Sequence, residues 1–186
     1  MALALGLLIA RVVIGLTLAG HGVQKLLGWF GGPGLSKQMS GMKTQGYKPA
    51  WLWVFFVCLG EVGGGLSLAS GLLTPLGAAG IVGSMFMAIA KVHWKNGFWN
   101  GKRGIEFPLA LLAVAVQFGI AGPGDYSLDA LLKLNWPGAL IFGVLAVAAL
   151  IVDVTGLLMT RPAAPAPASA PAPTSAPTQT EQRATS

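Results

Sequence analysis

The chain has 186 residues, of which 54% are hydrophobic and only 10% charged, with a mean hydropathy of +0.68. Soluble domains carry about a quarter charged residues, so this composition excludes an ordinary soluble fold and indicates a membrane protein. The net charge of +6 does not imply a nucleic-acid partner, because the basic residues gather in the connections between apolar stretches.

Five apolar stretches follow in order, at 3–25, 51–73, 75–92, 105–121 and 137–159. A helix needs about 20 apolar residues to cross ~30 Å of hydrocarbon, so the first two and the last are comfortable spans. The third and fourth are short, and are expected to sit shielded in a bundle or to draw their flanks into the interface. The first span contains Arg11, and its last turns place His21, Gln24 and Lys25 on one side by i, i+3, i+4 spacing. It has no basic leader, and Arg11 interrupts the apolar run, so an uncleaved span is expected rather than a signal peptide.

Residues 28–49 form a glycine-rich, basic connection with Lys37, Lys43 and Lys48. The second span carries Cys58 and Glu61 among glycines at 60, 63, 64 and 65. Pro75 suits the first turn of a helix, so the second and third spans read as a tight antiparallel hairpin. Gly77, Gly80 and Gly83 add small residues at three-residue spacing, a pattern that lets membrane helices approach closely. Lys91 and His93 end the third span, and Glu106 opens the fourth, where free N–H groups and the helix dipole favour a carboxylate. Residues 121–129 read as a turn into a short interfacial helix capped by Asp125 or Ser127. Asp153, near the end of the fifth span, reads as an isolated polar anchor. From residue 162 the chain is Pro/Ala-rich and expected to be disordered. All six tryptophans lie near span ends, as an aromatic belt requires.

Basic residues cluster after the first, third and fifth spans, which lie on one side of the membrane if all five cross. The positive-inside rule then puts the N-terminus outside and the C-terminus in the cytoplasm. Ionisable residues within spans are costly and mark functional sites by default, which singles out Arg11, His21, Glu61, His93 and Glu106. Measured from the middle of each span, Arg11 and Glu61 lie at similar depth and are expected to pair. His21, His93 and Glu106 make a second group toward the basic side. That group reads as a hydrogen-bonded cluster or as a quinone or proton site. No metal is expected there, since the residues come from separate spans with no local ligand motif. Cys58, the only cysteine, excludes a disulfide within the chain and reads as a packed thiol. No phosphate-binding loop, dinucleotide fingerprint, haem-attachment motif or nucleophile elbow is present.

Several blocks in order resemble the DoxX family of bacterial membrane proteins. They are residues 21–34 (HGVQKLLGWFGGPG), 60–64 (GEVGG), 93–98 (HWKNGF), 104–108 (GIEFP) and 122–129 (GPGDYSLD). The resemblance covers about residues 5–132. It implies an all-α membrane protein: a four-helix transmembrane bundle over 1–132, an additional transmembrane helix over 133–160, and a tail over 161–186. The family is related to the membrane subunit of thiosulfate:quinone oxidoreductase. The resemblance therefore implies a multi-pass inner-membrane subunit of a quinone-linked oxidoreductase system. Such a subunit has no intrinsic cofactor, takes quinone as ligand, and needs a soluble or membrane redox partner. A non-catalytic membrane scaffold is the alternative, and a small-solute permease a weaker one.

Overall fold

A computed structural model describes residues 1–160. The Pro/Ala-rich tail, with Arg161 and Arg183, lies outside the described residues. Among the described residues every regular element is helical. We number them α1 (Ala2–Leu27), α2 (Gly34–Thr44), α3 (Ala50–Ser70), α4 (Thr74–Asn96), α5 (Glu106–Ala121), α6 (Leu128–Leu131) and α7 (Gly138–Met159). Four of these, α1, α3, α4 and α7, are long and apolar enough to cross a membrane. The third span, expected to be short, continues through Lys91 and His93 to Asn96 and reaches 23 residues. The fourth, α5, stays short at 16 residues, or ~24 Å.

α4 is the central element. Its face of small residues (Ala78, Ala79, Gly83) and Ile81, Val82 and Met85 is buried against the neighbouring helices. The core joins α1 through Leu18, α3 through Leu68, α5 through Leu111, Ala115 and Phe118, and α7 through Phe142 and Ala146. Lipid-facing positions such as Leu3, Ile9, Val13, Val144 and Ile151 stay exposed on the outer helices.

Two seams of close backbone contact fix the bundle. Along α1 and α3, residues 15, 19 and 22 lie directly against 69, 65 and 62. A β-carbon on Gly15 would sit 2.5 Å from the Ala69 nitrogen, and one on Gly65 2.6 Å from the Ala19 nitrogen. Between α3 and α4, a β-carbon on Gly60 would lie 2.5 Å from the Gly80 oxygen, and one on Gly64 2.8 Å from the Gly77 oxygen. The expected small-residue hairpin is therefore present. Its turn depends on Gly71, whose φ of 66° is left-handed and whose α-hydrogen faces Arg11 and Ser127 at close range.

The basic connection 28–49 contains a helix, α2, that the composition concealed. Its glycines and lysines mask the apolar spacing of Leu35, Met39 and Met42 at i, i+4, i+7, and the two methionines pack against Tyr47 and Val54. Trp53 does not stay in an aromatic belt. Its ring lies 5.0 Å from that of Tyr47 and packs against Gly156 of α7.

The α1–α3 seam leaves no room for a side chain. Gly15→Val is expected to lower the melting temperature of the detergent-solubilised protein, with an overpacking cost of at least about 1–3 kcal/mol. Gly6→Val is expected to be nearly neutral, because nothing lies within 4 Å of the position a β-carbon would take there. Equal effects of the two changes would show that the seam does not set stability.

Candidate functional site

The α1–α3 register decides which charges meet, and it separates the pair expected to form. Residue 62 lies against residue 22, so the level of Glu61 on α1 is near residue 23, twelve positions from Arg11. At 1.5 Å per residue this is ~18 Å along the α1 axis. Measuring depth from the midpoint of each apolar run failed because the two helices are staggered, not centred on each other. Each charge has another partner.

Glu61 pairs with Lys25, whose ammonium donates to Oε1. Lys25 stands in the last turn of α1, and instead of extending into the basic connection it turns back along the helix. Its side chain is 28% exposed, whereas that of Glu61 is 2% exposed. Backbone geometry presents the carboxylate. Residues 59–63 form a π-helical turn inside α3, a local widening that recurs at functional sites. The absence of a side chain on Gly22 brings α1 directly against Glu61 and Val62. Glu61 Oε2 is buried without a hydrogen-bond partner. One oxygen is thus held by a cation and the other is free, an arrangement able to hold or pass a proton.

His21, one turn before Lys25, meets Phe107 of α5 edge-on with ring centroids 5.5 Å apart. Its neighbour Glu106 accepts a hydrogen bond from the Asn100 N–H at 2.8 Å, closing the loop before α5. The His93 ring nitrogen Nδ1 is 2.7 Å from the Arg103 carbonyl oxygen, and the Asn96 amide donates to that same oxygen at 3.1 Å. His21, His93 and Glu106 therefore stand around one end of the bundle with no hydrogen bond among them. Among the described residues no group of three histidine, cysteine, aspartate or glutamate side chains could hold a metal ion.

Arg11, only 2% exposed, belongs to the opposite end. Its guanidinium donates to the carbonyls of Ala69 and Tyr126, tying α1 to the end of α3 and to the loop before α6. That loop is held from its other side by Asp129. Its Oδ1 accepts from Leu73 N–H at 2.8 Å and its Oδ2 from Thr74 N–H at 3.0 Å, capping α4. Ser127 caps α6 itself, accepting from Ala130 N–H at 3.2 Å. Of the two expected caps, Ser127 is the one used. Block 122–129 is thus a structural latch over the α3–α4 turn.

Two participants escaped the sequence reading. Lys25 was placed on the first span beside His21, but its reach to Glu61 was not expected. Asp153 was read as an isolated anchor, yet it is buried in α7 with Oδ2 lacking a partner. The signal for Asp153 was present: a carboxylate in a long apolar run, with no basic residue within a turn of it.

Lys25→Met should leave Glu61 buried and uncompensated, a loss of about 3 kcal/mol, the lower end for a buried pair because Lys25 is partly exposed. Adding Glu61→Gln should recover much of the loss, whereas Arg11→Met and Glu61→Gln should be additive. Urea or thermal unfolding in detergent, arranged as double-mutant cycles, measures both couplings. Coupling of Glu61 to Arg11 and not to Lys25 would overturn the assignment.

The DoxX family model matches residues 6–94, which takes in α1 to α4 and both members of the Lys25–Glu61 pair. Blocks 104–108 and 122–129 lie beyond that match. The Escherichia coli (strain K12) inner membrane protein YqjF is 29% identical over 133 residues, 70% of this chain and 95% of that protein. No solved structure matches the chain. The matched helices, the ordered sequence blocks and this relative agree with the all-α membrane architecture and together support a DoxX family membrane protein.

Proposed function

We propose that this chain is the membrane subunit of a quinone-linked oxidoreductase system, and that Lys25–Glu61 is its proton-handling site. The observation that carries this reading is the buried Glu61 carboxylate, held by Lys25 at Oε1 and free at Oε2. A quinone, when bound, supplies redox chemistry that takes up protons along with electrons. Glu61 can hold a proton out of contact with water, and the partly exposed Lys25 links it to the basic face. His21, on the same face of α1, can orient a ligand entering between α1 and α5. One cysteine and no nucleotide or haem motif leave electron delivery to a soluble or membrane partner.

The similarity to an inner membrane protein supports an inner-membrane location. The clustering of Lys37, Lys43, Lys48, Lys102 and Arg103 in the connections after α1 and α4, with Lys95 in the last turn of α4, supports a cytoplasmic placement for that face. This puts the N-terminus outside. A reporter domain fused after Arg161 should be active only in the cytoplasm, and one inserted at Asp125 only outside; the reverse pattern would invert the topology.

A scaffold reading is favoured by a separate observation. Arg11, His93 and Glu106 all contact backbone groups, which is a structural role. Quinone binding separates the two readings. The purified full-length protein in nanodiscs should bind a short-chain ubiquinone saturably, and Glu61→Gln should weaken that binding about tenfold, the equivalent of one strong hydrogen bond. Saturable binding unaffected by Glu61→Gln would remove the site from Glu61. No binding above empty nanodiscs would favour the scaffold.

A further inference from the structure

A groove of about 730 Å³ runs between α3 and α7 over the glycine face of α4. Its floor is Gly77, Gly80 and Gly83, and its rims include Leu59, Leu66, Leu73, Leu76 and Val152. Those five rim side chains are exposed on the bundle's outer surface, so the groove opens sideways into the hydrocarbon, not toward water. It is separate from the Glu61 site. Gly60 and Gly64 of α3 face α4 and the groove, whereas Glu61 and Gly65 face α1.

Among the described residues, one ionisable side chain lines this apolar groove. Asp153 is 8% exposed, and its Oδ2 lies beside Gly83 with no hydrogen-bond partner. The lysine at this end of α7 has other partners. Lys91 donates to Thr160 Oγ1 at 2.7 Å and lies 5.1 Å from the centre of the Tyr47 ring. Ser84 Oγ also lines the groove, but its proton goes to the Ile81 carbonyl, leaving the oxygen as an acceptor. Ser67 and Ser70 donate likewise to the Leu72 and Leu66 carbonyls, so apart from the Trp53 indole N–H the polar side chains of the lining offer acceptors, inside an apolar channel of ordinary ligand-pocket size. An unpaired carboxylate in such surroundings is costly unless a cation completes it.

We propose that this groove binds a lipophilic organic ammonium ion, its cationic head on Asp153 and its hydrocarbon along the glycine floor. Depth selects a free lipophilic amine over an aminophospholipid. Asp153 lies six residues inside the end of α7, ~9 Å along the apolar helix from that end. A phospholipid ammonium reaching it would draw its own phosphate into hydrocarbon. A lipophilic amine carries no such anion.

The test uses the full-length protein in phosphatidylcholine–phosphatidylglycerol nanodiscs with radiolabelled dodecylamine, and empty nanodiscs as the partition blank. Saturable binding at one site per chain is expected, with dodecanol failing to compete. Asp153→Asn should weaken binding about tenfold or more. Ala148→Phe, which fills the groove without touching the carboxylate, should do the same even if Asp153→Asn does not fold. Glu61→Gln should bind dodecylamine like the unaltered protein, which keeps this result distinct from any loss of quinone binding. Binding that survives both groove variants would overturn the proposal. So would equal competition by lysophosphatidylethanolamine, which would make the ligand a phospholipid headgroup. A dimer that Ala148→Phe dissociates would overturn it by making the groove a protein interface.

Discussion

The staggered contact of α1 with α3 is the constraint on which the rest of the structure depends. In lipid, helices gain little from the hydrophobic effect against one another, so association rests on close packing of small residues and on polar contacts. Gly15, Gly22 and Gly65 let the two backbones touch, and touching backbones interlock at a single register. That register brings Lys25 within reach of Glu61 and carries Arg11 to the opposite end. The ionic contacts follow from glycine positions rather than setting them. A buried ion pair is weak evidence for stability in its own right, because desolvation offsets most of the attraction. Here it is tolerated because packing has already fixed where the carboxylate must be.

Much of the architecture was legible because it follows from apolar run length and turn chemistry. The spans around residues 14, 62 and 148, the hairpin at Pro75 and the Ser127 cap all rest on local rules. What failed was non-local. Apolar windows end where charges begin, but helices do not. α4 runs past Lys91 and His93 to Asn96. Taking window midpoints as bilayer depth then aligned Arg11 with Glu61. The error of ~18 Å is a register error, which composition and periodicity within one helix cannot reveal. α2 was missed for a related reason: three apolar residues in eleven give a weak signal until Tyr47 and Val54 supply the surface they pack on.

Of the five side chains singled out as ionisable within or beside spans, the structure divides the roles. Arg11 and Glu106 secure loops, and His93 meets a backbone carbonyl. Arg11 acts with Asp129 and Ser127 at one end of the bundle, where their partners are the backbone groups of turns. Backbone groups left unpaired at membrane depth are costly, so polar side chains that satisfy them are structural in the strict sense. Glu61 is different, because its partner is a side chain and one of its oxygens is unused. The rule that an intramembrane charge marks function therefore needs a second condition, a buried carboxylate oxygen left unpaired, since Arg11 also keeps its Nε unpaired while serving a turn.

Applied to the described residues, that condition selects both Glu61 and Asp153 among the acidic side chains buried at membrane depth, each with one orphaned oxygen. They differ in what surrounds them. Glu61 has a cation and a neighbouring helix, so its free oxygen faces a closed, packed environment suited to a proton. Asp153 has no ion-pair partner among the described residues and lines an open apolar groove, where the proposed ammonium would complete it. The same helix, α3, separates the two, presenting Glu61 and Gly65 to α1 and Gly60 and Gly64 to the groove. The π-helical turn at 59–63 sits where these faces diverge. A shift of that turn by one hydrogen bond would rotate Glu61 relative to Gly60.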